Sequence, residues 1–451
     1  KYREADFGPY PKGLMYYLTM MDSWLYDETK PFIHIEAGDT FDELKKNARN
    51  GYFEKLIKEY LLDNNHKSII SLVPEYGLEK EKEQKEADKL AEYKSTLTND
   101  ELEELVKKTK ELKEYQDTPS SQEDLEKIPM LELSDIKREP AKDYNDVKSV
   151  DGIKIVHHNI FTNKIAYINM SFDTKCVPDE LIPYMGLLGS TLSLMDTKNY
   201  TYPELTNEIN INCGGLATGT ALYSDKVDFS KNTIVYEVKS KALYEKVPFV
   251  LGMMEEIMYN TRFDDYKRLK EIIARIKSRL EASLMGQGHS IAMLECCAQF
   301  SESAYYSDIL RGYKYYEFIK KLDEEFEQNK TQIVDKLNKL VGYIFNKDNV
   351  IVSLTADDEG YDCFVKALSA KSCNIKDEHY NTAVRSFIPV NVKTGYTSAS
   401  QVQYVARCGN FVKDGYKYTG ALKVLKVIFS YDYLWINVRV KGGAYGCMSG
   451  S

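Results

Sequence analysis

The sequence predicts an α+β protein of several domains, and three observations carry that reading. β-Branched runs alternate with helix-patterned segments through residues 146–376. The order strand, helix, Gly-Gly, strand occurs there and begins again in residues 377–451. A charge-rich stretch at 77–145 separates this part from a helical segment at 1–76. A chain of 451 residues also exceeds what one core can serve.

Composition narrows the classes. Apolar content of 43% and charged content of 29% are those of an ordinary globular protein. There is no run of about 18 apolar residues, so no membrane span is predicted. A net charge of −9 argues against nucleic acid as a main partner. The opening Lys1–Asp6 carries neither an initiator Met nor a secretory signal, so the chain is expected to start inside a longer protein. Eight cysteines without a Cys-x-x-Cys pair, none before Cys176, read as reduced thiols of a cytosol-like compartment.

In chain order, residues 1–76 are expected to be helical, with Leu14, Leu18, Met21 and Leu25 on one face and a strand at Ser68–Val73. They read as the end of a domain. Residues 77–145 are expected to hold two long solvated helices joined at the capping box Thr98–Asn99–Asp100–Glu101, followed by a Pro-containing connector. Residues 146–376 read as a complete domain. Strands fit Ile153–His158, Lys164–Phe172, Leu216–Leu222, Thr233–Lys239 and Val350–Leu354. Helices fit Glu180–Leu194, Pro203–Ile211, a segment opened by Pro248, one capped by Asp264, and Tyr361–Leu368. Residues 377–451 then give strands at Gln401–Arg407 and Ile436–Val440 around a helix at Thr419–Phe429. This domain is expected to need roughly another hundred residues to complete a core.

The candidate site is Asn437–Gly446. A strand bearing Arg439 runs into Gly442–Gly443, which removes two side chains where another backbone can approach, and Tyr445 follows six positions after Arg439. A permanent cation and a phenol beside bare backbone suit a peptide carbonyl that becomes negative. An edge strand with a Gly-Gly bulge is the plain alternative.

Other chemistry is missing from the sequence. The six histidines form neither H-x-x-E-H nor H-E-x-x-H. His157 and His158 adjoin on a strand and point to opposite faces. His289, after Gly286–Gln287–Gly288, reads as a loop residue, and the close pair His34 and Glu36 reads as structural. Cys296–Cys297 lies in an apolar helical stretch and reads as core. No nucleophile elbow, P-loop or dinucleotide fingerprint occurs.

Several long blocks nevertheless resemble one family. Arg3–Leu14, Asp22–Asp27, Ser278–Gly286 and Arg439–Gly446 are similar, in collinear order, to the presequence protease and falcilysin branch of the insulinase/pitrilysin zinc metallopeptidases. The resemblance implies repeated two-layer α/β-sandwich domains in two halves, joined by a long helical hairpin and closing around a peptide-sized chamber. It implies that residues 1–76 end a second domain, 77–145 form the hairpin, 146–376 are a third domain and 377–451 open a fourth. The family's zinc motif belongs to its first domain, so no cofactor is expected in this chain and zinc is expected in an N-terminal half. The relic of that motif falls at Pro183–Leu188, where Tyr184 and Leu188 stand for the ligands and Leu187 for the base.

The family also implies roles for the terminal block. Arg439 and Tyr445 would be catalytic, and Arg439, Gly442, Gly443 and Tyr445 would contact substrate. Partners would be peptide substrates and the N-terminal catalytic half, with neither nucleic acid nor membrane, in a bacterial cytoplasm or an organelle matrix. The fragment itself would be inactive. The alternative is a non-catalytic peptide-binding or scaffold subunit of the same fold.

Overall fold

The computed structural model describes residues 4, 7–140, 142, 144–225, 227–228, 231–370, 374–397 and 402–450. Contacts divide the chain into two compact units, one of Asp6–Lys142 and one of Lys1–Ala5 with Asp143–Ser451. Cys373 and Gln401 lie outside the described residues.

The unit Asp6–Lys142 is helical: α1 (Lys12–Trp24), α2 (Gly38–Ala48), α3 (Tyr52–Ile57) continued by a π-helical turn Lys58–Leu62, α4 (Leu78–Thr96), α5 (Asn99–Asp117) and the short α6 (Gln122–Glu126). Between α4 and α5 the capping box is formed, with Thr98 N donating to Glu101 Oε2 at 2.8 Å and Glu101 N to Thr98 Oγ1 at 3.3 Å. Neither α4 nor α5 buries a residue, so α5 rests on its capping box and both helices on i,i+4 pairs such as Lys85 with Glu81. The strand predicted at Ser68–Val73 is not formed. These residues form no ladder, and Ile69 and Leu72 are each 95% exposed. A β-branched run needs a partner strand and a covered face, and neither is present among the described residues.

The other unit is built on a six-stranded sheet. Its strands are β1 (Asp146–Val150), β2 (Ile153–Asn159), β3 (Ile165–Asp173), β4 (Leu216–Ser224), β5 (Asn232–Leu243) and β6 (Val350–Ala356), in the order β1-β2-β6-β3-β5-β4. Only β2 and β6 pair in parallel. Period-2 alternation sets the faces. Ala166, Ile168, Met170 and Phe172 of β3 are buried, while Tyr167, Asn169 and Ser171 line the other face at intermediate exposure. Strand β1 escaped the sequence reading, although Asp151–Gly152, both at positive φ, form the two-residue turn that joins it to β2.

Helices cover the buried face: α7 (Ile182–Thr191), α8 (Tyr202–Asn212), α9 (Val247–Tyr259), α10 (Tyr266–Gly286), α11 (Gly288–Ala298), α12 (Glu302–Arg311), α13 (Tyr313–Glu324), α14 (Phe326–Ile344) and α15 (Asp358–Ser369). Pro183 and Pro248 stand in the first turns of α7 and α9. The cap of α10 is Asp265, not Asp264: its side chain accepts from Arg268 N at 3.0 Å. At the centre of the core Phe172 and Tyr236 meet Phe345 edge-to-face at 5.1 and 5.5 Å. No helix among the described residues is long and apolar enough to cross a membrane.

Residues 377–397 pass over this domain without forming a helix or strand. Arg385 donates to the Thr174 carbonyl, Val390 N to Gln299 O at 2.8 Å, and Tyr396 lies tilted against Tyr313 with ring centres 4.1 Å apart. Further on, a helix α16 (Ala421–Ile428) widens into a π-helix, Phe429–Val440. Two expectations fail here. Residues 402–407 make no ladder, and Ile436–Val440 is helical instead of a strand. Without a strand to pair with, the backbone groups satisfy one another within the helix. The wide turns bring Phe429 over Tyr433 at 5.4 Å.

Candidate functional site

The terminal block is shaped by that helix. Arg439 stands on its last turn, with its guanidinium 4.0 Å from the centre of the Trp435 ring. Gly443, at φ +71°, closes the helix: its N–H donates to Arg439 O at 3.0 Å, and Ala444 N donates to Val438 O at 3.1 Å. A Cβ on Gly442 would sit 2.6 Å from the Val438 carbonyl oxygen. The two glycines therefore serve a helix terminus here and not a strand bulge. Tyr445 lies beyond them, 93% exposed. Arg439 is likewise exposed, and neither side chain lines the grooves described below.

The relic segment lies on α7, deep in the core. Tyr184, Leu187 and Leu188 are all buried. The Tyr184 hydroxyl accepts from Lys336 Nζ at 3.3 Å, and its ring meets Phe318 at 4.8 Å. Two hydrocarbon side chains and an engaged phenol do not fit zinc, which takes nitrogen, sulfur or carboxylate oxygen donors. Among the described residues no three His, Cys, Asp or Glu side chains converge as ligands would. His157 and His158 do point to opposite faces: His157 is buried against Tyr361, and His158 bonds Ser353 Oγ at 3.0 Å on the open face. His289 opens α11 beside Tyr404.

The open face of the sheet holds what the sequence reading passed over. A groove of about 490 Å³ runs over β3, β5 and β6 to the Gly214–Gly215 edge of β4. Beside it on the same face, Glu237 accepts from Asn169 Nδ2 at 2.8 Å and Tyr223 OH at 2.9 Å and pairs with Lys239 at 2.6 Å. Burial pushes the Glu237 carboxyl up, but Lys239, Asn169 and Tyr223 outweigh it and hold it below the usual carboxylate range. Lys241 reaches a carboxylate from far along the chain, Glu4, at 2.5 Å, and Tyr167 OH donates to the same oxygen at 3.0 Å. A second recess of about 320 Å³ lies between α11, α12 and the segment 377–397, lined by Glu295, Gln299, Tyr305 and Lys314. There burial and the neighbouring Asp308 push the Glu295 carboxyl up.

Residues 72–322 match the family profile described as Peptidase M-16C associated, more than half of the chain. The chain belongs to that family. Residues 395–450 of this peptidase-associated chain also match the PreP C-terminal domain, which takes in Arg439–Gly446. Similar proteins include Protein HypA of Clostridium perfringens, 40% identical over 99% of this chain and 46% of its own length. Presequence protease 1 of Arabidopsis thaliana is 28% identical over 98% of this chain and 41% of its own. Mitochondrial presequence protease of Yarrowia lipolytica is 26% identical over 95% and 43%. The chain thus spans less than half the length of these relatives. Its kinship is with the presequence protease branch, as the motif blocks imply.

This family member hides its groove from sequence reading for a simple reason. Tyr167, Asn169, Lys239 and Lys241 are the polar half of ordinary alternation, and their convergence depends on β3 pairing with β5. The usable signal was Gly214–Gly215, read only as part of a repeat.

Proposed function

We propose that the chain is the C-terminal half of a zinc metalloendopeptidase that degrades unstructured peptides inside a closed chamber. The observation that supports this is collinearity: the peptidase-associated block, then the PreP C-terminal block with Arg439–Gly446 inside it, in a chain aligned almost end to end with presequence proteases. The metal, carried by the other half, would polarise the scissile carbonyl. In this reading Arg439 leaves the Trp435 ring and directs its planar donors at the carbonyl oxygen as charge develops. Tyr445 adds a hydroxyl from the same segment, and Gly442 and Gly443 leave room for the substrate backbone. Drawing donors from the half opposite the metal would couple turnover to chamber closure. The setting is a bacterial cytoplasm or an organelle matrix, and the 451-residue chain alone is inactive and zinc-free.

The test is Arg439→Ala in the whole gene product. Its kcat on a short peptide is expected to fall roughly ten- to a thousandfold, as for loss of one oxyanion donor. Unchanged turnover would remove Arg439 from the mechanism. Absence of hydrolysis by the unaltered whole protein would favour a peptide-binding scaffold instead.

A further inference from the structure

The Glu4 contact is of a different kind from the other ion pairs of the sheet. Lys239 and Glu237 are two positions apart on one strand, and Asn169 and Tyr223 complete that carboxylate locally. Lys241 instead takes a partner 237 positions away. The Glu4 side chain is only 7% exposed, and a single oxygen, Oε1, receives both the ammonium and the Tyr167 hydroxyl. A carboxylate is therefore already seated against two lining residues of the groove, held by a cation and a neutral donor, as a bound carboxylate would be.

The sheet edge is shaped to place that cation. The stem of Lys241 lies across Gly214, where a Cβ would come within 2.8 Å of Lys241 Cγ. Gly214 N donates to Lys241 O at 2.7 Å, and Ser240 Oγ donates to Gly215 O at 2.7 Å. Gly215 sits at φ +119°, outside the range that side-chain-bearing residues favour. Past the ammonium, Asn169, Ser353 and Thr355 offer polar side chains along the floor.

We infer that this groove is a carboxylate-binding subsite for peptides, centred on Lys241 and Tyr167 and filled in cis by Glu4 until a substrate carboxylate displaces it. The inference rests on the peptide-degrading reading above and adds which peptide group is recognised. The exchange replaces one carboxylate by another, so the ammonium keeps an anionic partner throughout and Glu4 passes into water. Either a peptide C-terminus or an Asp or Glu side chain supplies the required chemistry.

Direct binding to the purified 451-residue chain tests this by fluorescence anisotropy with three labelled peptides of one neutral sequence. One ends in a free carboxylate, one in an amide, and one is an amide with an internal Glu. In a Glu4→Gln chain, freed of its internal competitor, the carboxylate peptides should bind about tenfold more tightly than in the unaltered chain. They should also exceed the plain amide by roughly tenfold or more. Lys241→Met should abolish that preference, and Tyr167→Phe should reduce it. Both positions are on the open face, so circular dichroism should show an unchanged fold. Preference for only one of the two carboxylate peptides identifies the source. Equal binding of all three peptides, unmoved by Lys241→Met, would overturn the subsite and leave the peptidase reading intact. No binding by any peptide to the Glu4→Gln chain would overturn the subsite, while the peptidase reading falls only if the whole protein hydrolyses no peptide.

Discussion

Two Gly-Gly pairs in one chain have opposite fates. Gly214–Gly215 leads into β4, where it admits the Lys241 stem and pairs with β5. Gly442–Gly443 ends a π-helix, with Gly443 closing the last turn. The local sequences are alike in pattern: a helix, two glycines and β-branched neighbours. What differs is the company. Strand β5 supplies a ladder to the first, while no strand among the described residues lies beside Ile436–Val440. A β-branched run becomes a strand when a partner takes its backbone groups, and coils on itself when none does.

This comparison is most sharply broken by substitutions in the two hydrophobic clusters. Phe172→Ala removes a fully buried ring from beneath Phe345 and should destabilise the sheet domain by about 3–5 kcal/mol in chemical denaturation. Trp435→Ala, on a surface helix with no buried residue, should change the same transition by no more than about 0.5 kcal/mol. Comparable losses would mean that the terminal segment belongs to the same cooperative core.

The glycines give a smaller, paired test. Gly215→Ala forces a side chain into φ +119° inside the sheet unit and should cost about 1–3 kcal/mol of global stability. Gly443→Ala at φ +71° should cost about 1–2 kcal/mol, but only of the local helix. Hydrogen exchange separates them: the first should raise exchange across β4 and β5, the second only near residues 429–444.

The smallest effect is a pH dependence of the sheet's open face. Because Glu237 has a folded-state pKa below its ordinary value of 4.5, its contribution is fully present above that pH. It is lost as pH falls through the lower folded value. Glu237→Gln should therefore flatten the acid limb of the stability curve below the ordinary value of 4.5. An unchanged limb would place the acid sensitivity elsewhere.

How much was legible follows from the same distinction. Alternation in β3 named the buried residues Ala166, Ile168, Met170 and Phe172, because a side chain that must be buried is marked by its own chemistry. Thr98–Glu101 named its cap for a similar reason: both partners lie within one turn. Asp264 and Asp265 were not separable, since either carboxylate could cap and only backbone geometry chooses. The exposed strands failed because their condition, a neighbouring edge, is not written in them. The carboxylate contact of Glu4 was invisible, since nothing local ties it to a lysine at the far end of β5.

Helix α7 has one more consequence. It is pressed so closely to its neighbours that a Cβ at Gly186 would come within 2.7 Å of the Tyr315 ring and 2.8 Å of the Leu310 carbonyl. Putting imidazoles at positions 184 and 188 would entomb two polar rings under that contact. Those two changes, with a glutamate at 187 for the base, would thus yield a misfolded layer and not a metalloenzyme. A metal site here would require peeling α12 and α13 away from the sheet, so in architectural terms the position is closed to one.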